Sequence, residues 1–126
     1  MLYKVVAVIC KYLLRLIYRV KVEGDVSLGG VEGCIVYANH TCYLDPVVMG
    51  GFTKRQIKFM AKTELFKNAV FRYILTKLGT FPVRRGEADL SAVKMSLRLL
   101  KNGEILGMFP EGTRNKSGAP MDAEPG

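Results

Sequence analysis

Apolar and polar positions recur with two different periods along this chain, and the change of period marks its elements. Over residues 2–20 the spacing is helical. Leu2, Val5, Val6, Val8, Ile9, Leu13, Leu16, Ile17 and Val20 form a broad apolar face, while Lys4, Lys11, Arg15 and Arg19 fall within about 80° of arc on the helix projection. This predicts an amphipathic helix with a narrow basic stripe. A spanning helix needs about 20 residues with few charges, and Lys11 and Arg15 would sit near its middle. A helix lying in the membrane interface, its cations at headgroup level, fits the pattern better. The competing reading is a core helix whose basic edge faces water.

Beyond residue 20 the pattern shortens. Val20 to Leu28 alternates weakly and predicts a first strand ending at Gly29-Gly30. Cys34 to Ala38 is a short apolar run after Gly33, the pattern of a buried strand. Asp45 is placed to cap a short helix with Pro46 at its first position and Gly50-Gly51 at its end. Ile57 to Ala61 reads as a strand. Thr63 then opens a helix in which Leu65, Phe66, Ala69, Val70, Tyr73, Ile74 and Leu78 are helically spaced, with Gly79 beyond its end. Thr80 to Val83 is short and extended. Asp89 caps another helix, with Leu90, Val93, Leu97 and Leu100 inside it and Asn102-Gly103 closing it. Glu104 to Phe109 is a strand running into Pro110. Strands alternate with helices, so the expected fold class is α/β: a mostly parallel sheet flanked by helices, preceded by the amphipathic helix.

The chain of 126 residues is one domain at most. Its 49% hydrophobic and 24% charged content is that of a folded protein. Lys and Arg outnumber Asp and Glu by 19 to 11, a net charge of +8, which favours an anionic partner: nucleic acid, an anionic membrane or a phosphorylated substrate. The basic residues are spread rather than clustered and no nucleic-acid-binding motif accompanies them, so no nucleic acid partner is expected. Cys10, Cys34 and Cys42 lack metal-site spacing and are odd in number, as expected of free thiols in a reducing compartment. One histidine and scattered carboxylates supply no metal-ligand cluster, so no metal is expected. The apolar N-terminus is broken by charges and has no small-residue cleavage site, so no cleavable leader is expected.

Candidate chemistry lies in two segments, Asn39-His40-Thr41-Cys42-Tyr43-Leu44-Asp45 and Phe109-Pro110-Glu111-Gly112-Thr113-Arg114. His40 is the only histidine, and it can exchange a proton near neutral pH. A carboxylate five residues on can hold Nδ1–H and leave Nε2 free as a base. In a parallel sheet, His40, Arg84 with Arg85, and Glu111 each follow a strand, so their loops open on one edge, where ligands of such sheets bind. Cys42, beside a histidine, has the chemistry of a nucleophile.

These residues resemble those of the bacterial 1-acyl-sn-glycerol-3-phosphate acyltransferases and the wider glycerophospholipid acyltransferase family. His40 and Asp45 match that family's H-x4-D motif. Gly79-Thr80-Phe81-Pro82-Val83-Arg84-Arg85 resembles its second motif, with Arg85 the better equivalent. Phe109 to Arg114 matches F-P-E-G-T-R at every position. The H-x4-D pattern alone is weak; all three motifs in order are specific. The resemblance runs to about Gly118, and the family's fourth motif does not follow, which suggests a truncated member: an amphipathic membrane-associating helix at residues 1–21 and an acyltransferase α/β domain at 22–126, incomplete at its C-terminus.

The resemblance implies acyl transfer from a thioester to the free hydroxyl of lysophosphatidic acid, giving phosphatidic acid. His40 would be the general base and Asp45 its orienting partner. Arg85 and Arg114 would bind the substrate phosphate, with Glu111, Gly112 and Thr113 contributing to the substrate site. Glu111 is equally compatible with a structural pairing at the turn. The position of Cys42 is variable in the family, which argues against a nucleophilic role. No cofactor is implied; acyl-CoA or acyl-acyl carrier protein would be the cosubstrate. The implied location is the cytoplasmic face of the cell membrane, with an anionic membrane surface as partner and acyl carrier protein as a further one. The alternatives are an inactive lipid- or phosphate-binding fragment of the same fold, and an acyltransferase for another lysolipid. Lys54, Arg55, Lys58, Lys62, Lys67, Arg72 and Lys77, interleaved with Phe52, Phe59, Phe66 and Phe71, read chiefly as a solvated face, with membrane docking beside the N-terminal helix as the sharper alternative.

Overall fold

The computed structural model describes residues 2–84, 86, 88–115, 119 and 122. Among them, four strands form one parallel sheet: β1 (Cys34–Tyr37), β2 (Ile57–Lys62), β3 (Phe81–Val83) and β4 (Ile105–Met108), in the order β1-β4-β2-β3. The register sets Cys34 and Ile57 on either side of Ile105, and Met60 opposite Phe81. Parallel neighbours require crossovers, and helices supply them: α2 (Asp45–Phe52) between β1 and β2, α3 (Ala69–Lys77) between β2 and β3, and α4 (Leu90–Lys101) between β3 and β4. The expected α/β class is the observed one.

β4 is one of the two inner strands and the most buried. Its successive side chains alternate between the two faces of the sheet. Leu106 joins Phe81, Ala92 and Leu99 beneath α4. Ile105 joins Ile57 and Phe59 on the opposite face, with Val36, Met49 and Phe109 packed against them. Gly107 leaves a gap on that same face as Ile105. A Cβ there would meet the Phe59 ring at 2.3 Å and Ile57 Cγ2 at 2.7 Å, so the missing side chain is what admits Phe59.

α1 (Leu2–Tyr18) lies on α2. Its packed strip is Tyr3, Ala7, Cys10 and Leu14, beside the basic stripe. Tyr3 Oη donates to the Gly50 carbonyl at 3.2 Å, and a Cβ on Gly51 would lie 3.5 Å from the Ala7 carbonyl. Leu14 is buried, whereas Val5, Val8, Ile9, Leu13, Leu16 and Ile17 are exposed, Leu16 to 81%. Most of the apolar face thus points away from the sheet, contrary to a core helix. Among the described residues no helix is long and apolar enough to cross a membrane.

Four expectations need correction. Residues 20–28 form no strand: Gly24 and Leu28 have φ of +84° and +52°, which breaks extended backbone. The single helix expected from Thr63 is a 3₁₀ turn, Thr63–Phe66, followed by α3, whose N-cap is Asn68; its side chain accepts hydrogen bonds from the Val70 and Phe71 amides. Gly50 and Gly51 do not end α2, which continues to Phe52; they are its contact surface for α1. In α4, Asp89 caps as expected, accepting from the Ser91 and Ala92 amides, but Leu90, Val93 and Leu97 are exposed and Ala92 and Leu99 are buried.

Candidate active site

The carboxyl ends of all four strands open on one edge of the sheet, and β1 and β4 are neighbours there. The loops that follow them are tied together directly. The Ala38 amide donates to the Met108 carbonyl at 3.1 Å, and the Asn115 amide to the His40 carbonyl at 2.6 Å. Two sequence segments some seventy residues apart are thereby brought into one site.

His40 and Asp45 meet within it, with His40 Nδ1 3.0 Å from Asp45 Oδ2. The same oxygen accepts from the Thr41 amide at 2.7 Å and the Cys42 amide at 2.8 Å. The carboxylate therefore does not cap α2 as its sequence position suggests; Leu44 occupies the N-cap without a side-chain bond, and Asp45 instead folds the loop before the helix back on itself. Burial pushes the Asp45 carboxyl up, but hydrogen bonds from the Cys42 amide, His40 and the Thr41 amide outweigh it, and the group titrates below its ordinary value. An ionised Asp45 only accepts, so the proton of the pair resides on Nδ1 and Nε2 carries the free lone pair. The two side chains are 12% and 20% exposed.

The imidazole is held from its face as well as its edge. Phe109 stacks on it with ring centroids 4.3 Å apart and planes at 24°, and Phe59 stacks in turn on Phe109 at 5.8 Å. The run from Gly107 through Phe59 and Phe109 to His40 connects the centre of the sheet to the ring, fixing its orientation by packing.

Beside the ring lies a cavity of about 450 Å³. His40, Tyr43, Thr113 and Arg114 form its polar end; α1, α2, β2 and the residues around α3 supply apolar walls, among them Ala7, Val47, Phe59 and Leu78. Arg114 stands over the Tyr43 ring, its guanidinium carbon 3.6 Å from the centroid, a cation–π contact that holds the cation at this end.

Of the sequence candidates, Asp45 stands behind His40, bonded to its Nδ1, and His40, Thr113 and Arg114 line the cavity. Glu111 and Gly112 are set back from its walls: Glu111 is 6% exposed, and its Oε2 has no hydrogen-bond partner among the described residues. Gly112 takes a φ of +60° in the turn after Pro110. Arg85 lies outside the described residues. Arg84, which follows β3, has its Nε 3.7 Å from the Asp89 carboxylate. Cys42 is exposed; its sulfur accepts from the Leu44 amide at 3.5 Å. No group of metal-ligating side chains occurs among the described residues.

Three contributors are not assigned to the site by the sequence. Lys62, at the carboxyl end of β2, lines the cavity; its position at a strand end was the available signal, obscured by the many cations around it. Phe109 stacks on His40, although its place in the motif marks only a strand end. Asn115, 6% exposed, joins the two loops and follows Arg114 directly.

A family model described as Acyltransferase matches residues 19–126. A 1-acyl-sn-glycerol-3-phosphate acyltransferase of Bacillus subtilis (strain 168) is 37% identical over 121 residues, 95% of this chain and 61% of the relative. One from Streptococcus pneumoniae (strain ATCC BAA-255 / R6) is 39% identical over 99 residues, covering 74% of this chain and 38% of that protein. A chloroplastic 1-acyl-sn-glycerol-3-phosphate acyltransferase of Arabidopsis thaliana is 31% identical over 104 residues, 80% of this chain and 29% of its own length. The chain thus spans less than two thirds of the curated relatives it matches. No solved structure matches it.

Proposed function

The chain belongs to the acyltransferase family, and from that premise we propose that it transfers an acyl group from a thioester to the free hydroxyl of a 1-acylglycerol-3-phosphate. The observation that carries this reading is the His40–Asp45 pair, 3.0 Å apart, with His40 and Arg114 both lining an apolar cavity.

The chemistry follows from the site. Asp45 keeps Nδ1 protonated, so Nε2 takes the acceptor's hydroxyl proton as that oxygen attacks the thioester carbonyl. The C–O bond forms, the tetrahedral intermediate collapses, the C–S bond breaks, and the imidazolium returns its proton to the departing thiolate. A thiolate is a good leaving group, so no covalent enzyme intermediate is required, and Cys42 has no step to perform. Arg114 and Lys62 supply positive charge for the acceptor's phosphate, with Arg85 as a further phosphate ligand. Glu111, buried behind the turn, shapes it through its backbone carbonyl, which accepts from the Thr113 amide at 2.6 Å. The apolar walls suit an acyl chain. The donor is an acyl thioester of coenzyme A or of acyl carrier protein.

The exposed apolar face of α1, bordered by Lys4, Lys11 and Arg15, supports peripheral docking on an anionic membrane, at the cytoplasmic face in this reading, with residues 1–21 as the docking segment and 22–126 as the acyltransferase domain. The test is an acceptor panel. Lysophosphatidic acid and lysophosphatidylcholine are offered with the same thioester to the native chain and to Arg114→Gln. Preference for the free phosphate monoester, reduced at least tenfold in R114Q, is expected. An unchanged preference in R114Q contradicts the assignment of Arg114, and preference for lysophosphatidylcholine assigns the chain to another lysolipid.

A further inference from the structure

α3 is a second helix whose apolar residues face outward. Val70, Phe71, Tyr73 and Ile74 are 66%, 55%, 63% and 42% exposed, and none of its residues is buried. Their three- and four-residue spacings make them one continuous arc. That arc runs on into Leu75 and Leu78, which line the cavity. Four large side chains in water on one nine-residue helix form a patch of the kind that marks an interaction surface.

Charge indicates what covers it. Lys67, Arg72 and Lys77 lie in or beside α3, and residues 65–83 contain no Asp or Glu. Lys77 extends over the Tyr73 ring, 5.6 Å from its centroid, so this cation belongs to the apolar patch itself. An apolar arc with Lys77 at its edge, further cations elsewhere on the segment and no acidic residue complements an anionic bilayer, which takes apolar side chains below its headgroups and cations at them. Position gives the second argument. Tyr3, Val6, Ala7 and Cys10 of α1 and Leu75 and Leu78 of α3 border the same cavity, so the two outward-facing helices flank one ligand-sized space.

We propose that α3 is a second lipid-docking helix, inserting Val70, Phe71, Tyr73 and Ile74 into the interface of an anionic membrane, so that the cavity lies between two membrane-bound helices and receives its lipid from the bilayer. The proposal extends the membrane-surface reading of α1, which it assumes. An acidic carrier protein is the competing occupant of the same patch.

The chain has no tryptophan, so a single introduced indole reports on its site alone. Phe71→Trp and Leu16→Trp, both at exposed positions, are titrated with vesicles of phosphatidylcholine and phosphatidylglycerol carrying brominated acyl chains. Blue-shifted, bromine-quenched emission from both variants is expected. Double substitution of Phe71→Ser and Ile74→Ser, with the far-ultraviolet circular dichroism retained, is expected to weaken vesicle partitioning roughly tenfold. Quenching of L16W with F71W unaltered overturns the proposal and leaves α1 as the docking element. Silence of both variants overturns docking by either helix. A response of F71W to an acidic carrier protein but not to vesicles overturns the proposal in favour of that partner.

Discussion

At the residue scale the site depends on one carboxylate oxygen. Asp45 Oδ2 accepts from two backbone amides and the imidazole, so it shapes the loop and selects the histidine tautomer together. Asp45→Asn keeps the size but offers no anion. Turnover is expected to fall by roughly 10²-fold or more, read as a drop in kcat with the KM for lysolipid little altered. The pH dependence has a definite sign. The folded-state pKa of Asp45 lies below its ordinary value, so its contribution to stability is complete above the ordinary carboxylate range, about pH 4, and is lost as pH falls through the depressed value. Urea midpoints measured from pH 6 downwards should show an acid decline that is shallower in D45N; an identical decline would contradict the role. His40, Asp45 and Arg114 were legible in the sequence because their side-chain types and spacings carry the chemistry. Phe109 and Asn115 were not, since stacking on His40 and linking two loops depend on strand neighbours that no local pattern reveals.

At the element scale, short apolar runs after glycine located β1 and β4, and cap residues located α4. Periodicity failed where two alternatives shared one pattern. The alternation of Val20, Val22, Val26 and Leu28 gives no strand partner, and Gly24 and Leu28 turn the backbone. In α4 both Leu90-Val93-Leu97 and Ala92-Leu99 are apolar series; the smaller one is buried because close approach to β3 and β4 favours Ala92. The helix expected from Thr63 is divided because Asn68 competes for the amides of the next turn. Asn68→Ala should therefore cost about 1 kcal/mol in urea denaturation, with no loss meaning the cap is idle. Gly107→Ala tests the packing line to the active site. Its new methyl collides with Phe59 and Ile57, so about 1–3 kcal/mol of destabilisation is expected, together with reduced turnover as Phe109 and His40 lose their support. A stable, fully active G107A would contradict that link.

At the scale of the whole molecule, a parallel sheet gathers chemistry at one edge while α1 turns most of its apolar surface outward. A net charge of +8 then matters less as a total than in its arrangement, since the α1 cations border an apolar face and can act with it. Binding to vesicles should rise several-fold from neutral to phosphatidylglycerol-containing membranes and fall with added salt; indifference to lipid charge in a flotation assay would remove the electrostatic part of docking. The most direct measurement of the central claim is acyl transfer from a labelled thioester to lysophosphatidic acid in anionic vesicles, with the native chain and His40→Ala side by side. Phosphatidic acid from the native chain, and a rate lower by about 10²–10⁴ from H40A, is the expected result. Equal rates from both, or no product from a native chain that is folded and vesicle-bound, would contradict it.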